Sequence, residues 1–179
     1  EGAAEAQYNL ALMYSLGKEI AKDDQVAIKW YRLAAEQGFA EAQTNLGLMY
    51  GKGQGEEQNF SEAVKWYRLA AEQGLAQAQH NLGVMYRQGQ GVQKNLFEAF
   101  WWFKRAAEQG YGQAQYNLGL MCSRGEGVAK DYKEAVKWYR LSAEQRILGA
   151  QSNLGLMYEK GLGVEQDYVE AHKWFNIAG

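Results

Sequence analysis

The chain has 179 residues with no proline, 21 glycines, 6 tryptophans and 12 tyrosines, a composition that suits glycine-punctuated packed helices and not a β-sandwich or a disordered tail. Its formal charge of -2 comes from interspersed Lys, Arg, Asp and Glu, so no basic block draws nucleic acid and no nucleic-acid partner is expected. No apolar run reaches the roughly 18 residues of a membrane span, and the single cysteine, Cys122, excludes an intrachain disulfide.

No basic-then-apolar leader precedes Glu1, and the chain opens inside a repeat without an initiator methionine, as an excerpt or a processed product does. The repeat is 36 residues long. Asn-Leu recurs at Asn9, Asn45, Asn81, Asn117 and Asn153, and Trp30, Trp66, Trp102, Trp138 and Trp174 keep the same interval, as do Met13, Met49, Met85, Met121 and Met157. The expected organisation is one domain, 1–179, of five units at 4–39, 40–75, 76–111, 112–147 and 148–179.

Each unit begins with a predicted helix A, read most plainly in the second copy over 40–52. Ala42, Leu46, Met49 and Tyr50 fall at i, i+4, i+7 and i+8, the apolar stripe of a helix. Gly47, Gly83, Gly119 and Gly155 recur inside it, where glycine costs up to about 1 kcal/mol against alanine, so a close approach of the neighbouring helix is expected. Ala11 takes that place in the first copy, which suggests looser packing there. Helix A stops at Gly-x-Gly, as at Gly53 and Gly55, where glycine takes a left-handed cap. Val92, Val128 and Val164 then read as plugs that tuck the loop onto the core.

Helix B starts after a capping Asn59, Asn95, Asp131 or Asp167. Ala63, Trp66, Tyr67, Ala70 and Ala71 form a wide stripe of large rings against small alanines. It closes with Glu72-Gln73-Gly74, which turns the chain into the next helix A. Two short helices cannot bury such stripes alone, so neighbouring units must cover them. The expected fold is an all-α, right-handed superhelical solenoid with a concave inner wall.

The pattern A-x-A-Q-x-N-L-G-x-M-Y-x-x-G-x-G-V followed by E-A-x-x-W-Y-x-x-A-A-E-Q-G resembles the Sel1-like repeat, a relative of the tetratricopeptide repeat, over essentially the whole chain. The resemblance implies an adaptor that scaffolds protein complexes, found mostly in bacteria, often exported to the periplasm or outside, and also in the endoplasmic reticulum of eukaryotes. One branch, the Helicobacter cysteine-rich proteins, carries paired cysteines in each repeat and a link to penicillin binding. This chain lacks the pairs, so its single cysteine forms no such framework, and the penicillin link stays only as a remote expectation by analogy.

If helix A lines the concave side, as the resemblance to tetratricopeptide arrays implies, Asn45, Asn81, Asn117 and Asn153 offer amide groups to a peptide backbone or a ligand carboxylate. An equally direct reading has them bonding a neighbouring helix, since a buried polar group needs a partner. Specificity is expected where the copies differ: Tyr8, Thr44, His80, Tyr116 and Ser152, then Ser15, Gly51, Arg87, Ser123 and Glu159. Lys52, Gln88, Arg124 and Lys160 add a mildly basic row that favours an acidic segment or C-terminal carboxylate, or is simply a solvated helix edge.

The recurrent tryptophans are read as core. Trp101, by contrast, stands where Lys29, Lys65, Lys137 and Lys173 stand in the other copies, and with Phe97 it marks a possible apolar patch on the convex side. Catalysis finds no support: His80 and His172 belong to different units, Cys122 takes the buried place of Tyr50 and Tyr86, and the recurrent glutamates Glu36, Glu72, Glu108 and Glu144 read as fold residues. No metal or cofactor is called for. A protein or peptide partner is the leading expectation, an architectural or end-to-end self-associating solenoid the alternative, and a penicillin-related enzyme a remote third.

Overall fold

A computed structural model describes residues 2–178 and folds them into ten α-helices, with no strand among the described residues. In chain order they are α1 (Gly2–Leu16), α2 (Asp24–Glu36), α3 (Ala40–Lys52), α4 (Phe60–Glu72), α5 (Ala76–Gln88), α6 (Leu96–Glu108), α7 (Gly112–Arg124), α8 (Tyr132–Glu144), α9 (Leu148–Lys160) and α10 (Tyr168–Ala178). Odd-numbered helices are helix A and even-numbered ones helix B. The chain divides into two compact units, Glu1–Lys94 with α1 to α5 and Asn95–Gly179 with α6 to α10.

Local chemistry sets the boundaries. The Asn59 side chain accepts from the Glu62 amide at 3.1 Å, and Asp131 accepts from the amides of Lys133 and Glu134 at 2.9 and 3.0 Å. These bonds satisfy amide groups that a helix start leaves free, so helix B begins one residue later. Helix A ends where Gly53 and Gly125 adopt φ of 66° and 72°, the left-handed cap expected of glycine.

The helical glycines mark close approach. In the first unit, a Cβ on Gly47 would lie 2.8 Å from the Tyr67 ring; in the second, one on Gly119 would lie 2.5 Å from Tyr139 and one on Gly155 2.6 Å from Phe175. The helix B ring sits directly on helix A of its own repeat, which is why the propensity penalty is tolerated. Ala11 departs from the looser packing expected of it, because its methyl is fully buried. The second loop glycine has a role beyond capping. A Cβ on Gly55 would overlap the Asp24 carbonyl, on Gly91 that of Phe60, on Gly127 that of Leu96 and on Gly163 that of Tyr132, so each loop rests on the first residue of the preceding helix B. The valines Val92, Val128 and Val164 are half-buried at the same loops.

Recurring polar residues stitch repeats from inside. Gln43 and Gln79 in the first unit, and Gln115 and Gln151 in the second, are buried, and each donates Nε2 to the carbonyl eight residues earlier, Ala35, Ala71, Ala107 and Ala143, at 3.0 to 3.2 Å. That carbonyl lies at the end of helix B, where it also accepts from the backbone N–H three residues on at 2.9 to 3.0 Å. No helix among the described residues is long and apolar enough to cross a membrane.

Candidate functional site

The surface of helix A holds most of the residues singled out above, and the structure sorts them. In the first unit Asn45 is half-buried, its side chain within hydrogen-bond reach of the hydroxyls of Tyr8 and Tyr31. Tyr31, on α2, also shares a 3.2 Å bond with the Ser15 hydroxyl, which donates to the Leu12 carbonyl at 3.1 Å. The second unit repeats the device: Ser123 and Tyr139 hydroxyls are 3.0 Å apart, and Tyr139 reaches Asn153. The asparagine on one helix A thus stands beside the tyrosine hydroxyl of the preceding helix B. Burial raises the pKa of Tyr31 and of Tyr139 above the ordinary phenol value, so both remain hydrogen-bonding hydroxyls at neutral pH.

The other two asparagines make different bonds. Asn81 Oδ1 lies 3.3 Å from His80 Nδ1, and Asn117 Nδ2 donates to the Gln113 carbonyl at 3.0 Å. His80 is half-buried, and desolvation lowers its pKa below the usual imidazole value, which leaves it neutral at pH 7.

Thr44 corrects the expectation. It is 2% exposed and its hydroxyl donates to Ala40 O at 2.9 Å, so it offers a partner almost no surface. Its neighbours in the repeat comparison remain accessible: Tyr116 and Ser152 are half-buried, with the Tyr116 ring lying over α9 so closely that a Cβ on Gly149 would be 2.8 Å from it. Gly149 stands where the other copies carry Glu41, Gln77 and Gln113, and its lack of a side chain makes room for that ring.

The basic row is exposed at Lys52, Arg124 and Lys160, as is Gln88, while Arg87 is half-buried. These side chains sit in the last turn of helix A, where positive charge favours the carboxyl end of a helix whatever else it does. Arg124 pairs with Glu126 at 3.4 Å, which compensates its charge locally.

On the outer face of α6, Phe97 is 68% exposed and Trp101 43% exposed. Trp101 meets buried Trp102 edge-on at 4.5 Å, and the Arg105 guanidinium lies over both rings at 4.9 and 5.6 Å. The neighbouring repeats show the reverse arrangement: Lys65 and Lys137 lie over Trp66 and Trp138, each at 5.4 Å, with Leu69 and Leu141 four residues on. The third repeat has therefore exchanged cation and apolar residue between two places one helical turn apart. The core reading of Trp66, Trp102 and Trp138 agrees with their burial, and the indole N–H groups of Trp66 and Trp102 have no partner among the described residues.

Two devices escaped the sequence reading. An arginine on helix B donates to a tyrosine 18 residues on, in the next helix A: Arg32 to Tyr50 at 2.6 Å, Arg68 to Tyr86 at 2.7 Å and Arg140 to Tyr158 at 2.5 Å. The third copy has Lys104 and Cys122 at these two places, a joint departure that a search at spacing 18 would have found. The second device is the glutamine pair at spacing 30, Gln73 to Gln43 and Gln145 to Gln115, both at 2.8 Å. Gln151 Oε1, also buried, has no such donor among the described residues.

For chemistry the site offers little. Cys122 is 2% exposed, and burial first, then Glu134 and Asp131, pushes its thiol up to about 11, the opposite of an activated nucleophile. No group of three or more His, Cys, Asp or Glu among the described residues is placed to hold a metal ion.

Comparison with known proteins places this architecture. The Sel1 repeat model matches residues 4–39, 40–75, 76–111, 112–146 and 149–179. A protective antigen present in uropathogenic Escherichia coli strains is similar over 99% of this chain, with 40% identity and a TM-score of 0.95. A Sel1 repeat protein from Oxalobacter formigenes is similar over 98%, with 43% identity and a TM-score of 0.92. The chain spans 38% of the length of the first and 70% of the second. Helicobacter pylori cysteine rich protein B is 26% identical over 72% of this chain and 92% of its own, with a TM-score of 0.54. No curated protein matches the chain. Five matched repeats spanning nearly all residues, in an all-α solenoid fold, show that the chain belongs to the Sel1 repeat family.

Proposed function

We propose that the chain is one protein-interaction domain, and not an enzyme, whose partner polypeptide lies along the exposed residues of the helix A series. Sel1 repeats generally mediate protein–protein interaction. The observation that carries the finer reading is the sorting of helix A positions: recurring Ala, Gln, Leu, Gly and Met are buried, whereas the varied His80, Arg87, Gln88, Tyr116 and Ser152 keep surface. A partner sees each repeat through a different residue, so it is read along its length. Asn45, Asn81, Asn117 and Asn153, half-buried beside them, present what remains of their amide surface to the same partner.

Lys52 and Lys160, exposed and without an ion-pair partner among the described residues, favour an acidic segment or terminal carboxylate there. Once a partner has been identified by affinity capture and mass spectrometry, Lys52→Glu with Lys160→Glu lowers its affinity at low salt. Unchanged affinity removes the acidic preference. Turnover of a chromogenic lactam by the purified chain would contradict the non-enzymatic reading.

End-to-end self-association is a second reading, favoured by helix α10, which exposes Tyr168, Val169 and Ile177. Sedimentation that stays monomeric across a hundredfold range of concentration contradicts it.

A further inference from the structure

The first unit holds a cavity of about 240 Å³ between the ends of α1 and α3 and the start of α2. Its walls include the apolar side chains of Leu12, Leu16, Leu48 and Met49. Tyr31, Ser15 and Asn45 also line it; the Tyr31 and Ser15 hydroxyls bond one another at 3.2 Å and Asn45 stands beside Tyr31. The group at its edge that differs in kind is Asp24.

Asp24 is the first residue of α2, and the same place in the other four repeats holds Phe60, Leu96, Tyr132 and Tyr168. A bulky apolar side chain is thus replaced once by a short carboxylate, beside an apolar space large enough to receive a side chain from elsewhere. The Asp24 carboxylate pairs with Lys22 at 3.2 Å, but Lys22 is 53% exposed, and an ion pair so open to water is worth about 1 kcal/mol or less. A second cation can share or displace it. The adjoining surface carries four carboxylates, Asp23, Asp24, Glu56 and Glu57, against one lysine, Lys22. Glu57 borders the adjoining surface with Asp23 and Asp24 and has no ion-pair partner among the described residues, whereas Glu56 is held by Arg32 at 2.8 Å.

We infer that this cavity is a subsite for a lysine side chain of the partner polypeptide, the four-carbon stem lying on Leu12, Leu48 and Met49 and the ammonium reaching the Asp24 carboxylate. A lysine suits both halves, because it buries an aliphatic stem while its charge stays at the wet edge. A carboxylate ligand is disfavoured here by Asp24 itself. The inference rests on the interaction-module reading and adds a residue-level preference in the first unit, opposite in sign to that of Lys52 and Lys160.

The test is a methyl NMR titration of the full chain with three blocked tripeptides, Gly-Lys-Gly, Gly-Glu-Gly and the same peptide with norleucine at its centre. The lysine peptide should shift the methyl signals of Leu12, Leu48 and Met49 saturably, binding about fivefold more tightly than the norleucine peptide, the worth of one partly exposed ion pair. The glutamate peptide should bind least. Asp24→Asn should bring the lysine and norleucine peptides to equal affinity. Asp24→Phe, which restores the residue type of the other repeats and so should fold, should abolish the shifts for all three. Equal binding of lysine and norleucine peptides to the unchanged chain, no saturable shift at these methyls, or shifts that survive Asp24→Phe would overturn the inference. Such a failure removes the subsite alone, since the peptides are too short to reach the positions from His80 onward on which the broader reading depends.

Discussion

Gln73 donates its side-chain N–H to Gln43 Oε1 across 2.8 Å, while Gln43 passes its own N–H to the Ala35 carbonyl at 3.0 Å. One buried amide therefore joins the end of α2, the start of α3 and the end of α4. The second unit repeats the relay with Gln145, Gln115 and Ala107. Gln115→Leu keeps the volume but removes two hydrogen bonds, the one to Ala107 O, which keeps its bond from the Gly110 N–H, and the one from Gln145 Nε2, which keeps the Gly110 carbonyl. The expected loss is about 2 kcal/mol of unfolding free energy, read by urea denaturation.

Gly47 and Tyr67 make the complementary point for packing. Alanine is the better helix former by about 1 kcal/mol, yet a Cβ here would meet the ring at 2.8 Å. Gly47→Ala should lower stability by about 1–3 kcal/mol through overpacking. In a Tyr67→Leu background the same change should become neutral or favourable. A loss of equal size in both backgrounds contradicts the assignment of the glycine to this ring.

Most of the fold was legible in the sequence because packing acts locally on every repeat in the same way. The stripe of Ala42, Leu46 and Met49 and the caps at Asn59 and Gly53 each recur at period 36, so five copies vote on one structure. What stayed hidden was bonding between different places in the repeat. Arg32 to Tyr50 and Gln73 to Gln43 link residues 18 and 30 apart, spacings that no single helix period announces. The candidate surface was less legible still. Thr44 varies among repeats for an internal reason, its hydroxyl bonding its own helix, so variation alone does not mark a contact residue.

Arg146 occupies the place of Gly38, Gly74 and Gly110 and keeps their left-handed backbone, with φ of 62°. A side chain in that region costs about 1–2 kcal/mol, partly offset by the greater freedom a glycine would have when unfolded. Arg146→Gly should stabilise the second unit by about 0.5–1 kcal/mol, measured by thermal unfolding. A lowered midpoint would show that the Arg146 side chain contributes more than its backbone costs.

Cys122 sets a pH dependence. Its thiol is raised from 9.0 to about 11 in the folded chain, so as pH climbs past 9 the unfolded chain releases the proton first. Folding stability contributed by the neutral thiol is intact below pH 9 and is lost progressively between about 9 and 11. Relative to Cys122→Ala, the unchanged chain should lose about 1 kcal/mol between pH 8.5 and 10. A thiol reagent at pH 8 should label the native protein slowly and the denatured protein at once. Parallel pH profiles for the two chains contradict the buried-thiol account.

The central claim is that recurring residues hold the fold while exposed, varied residues of helix A meet a partner. Photo-crosslinking tests it most directly, with benzoylphenylalanine placed singly at Gln88 or Ser152 on helix A and at Lys65 or Lys137 on helix B, in cells of the source organism. The account predicts the same specific protein adduct from both helix A positions and none from the helix B positions. Adducts confined to Lys65 and Lys137, or absent from all four, would contradict it.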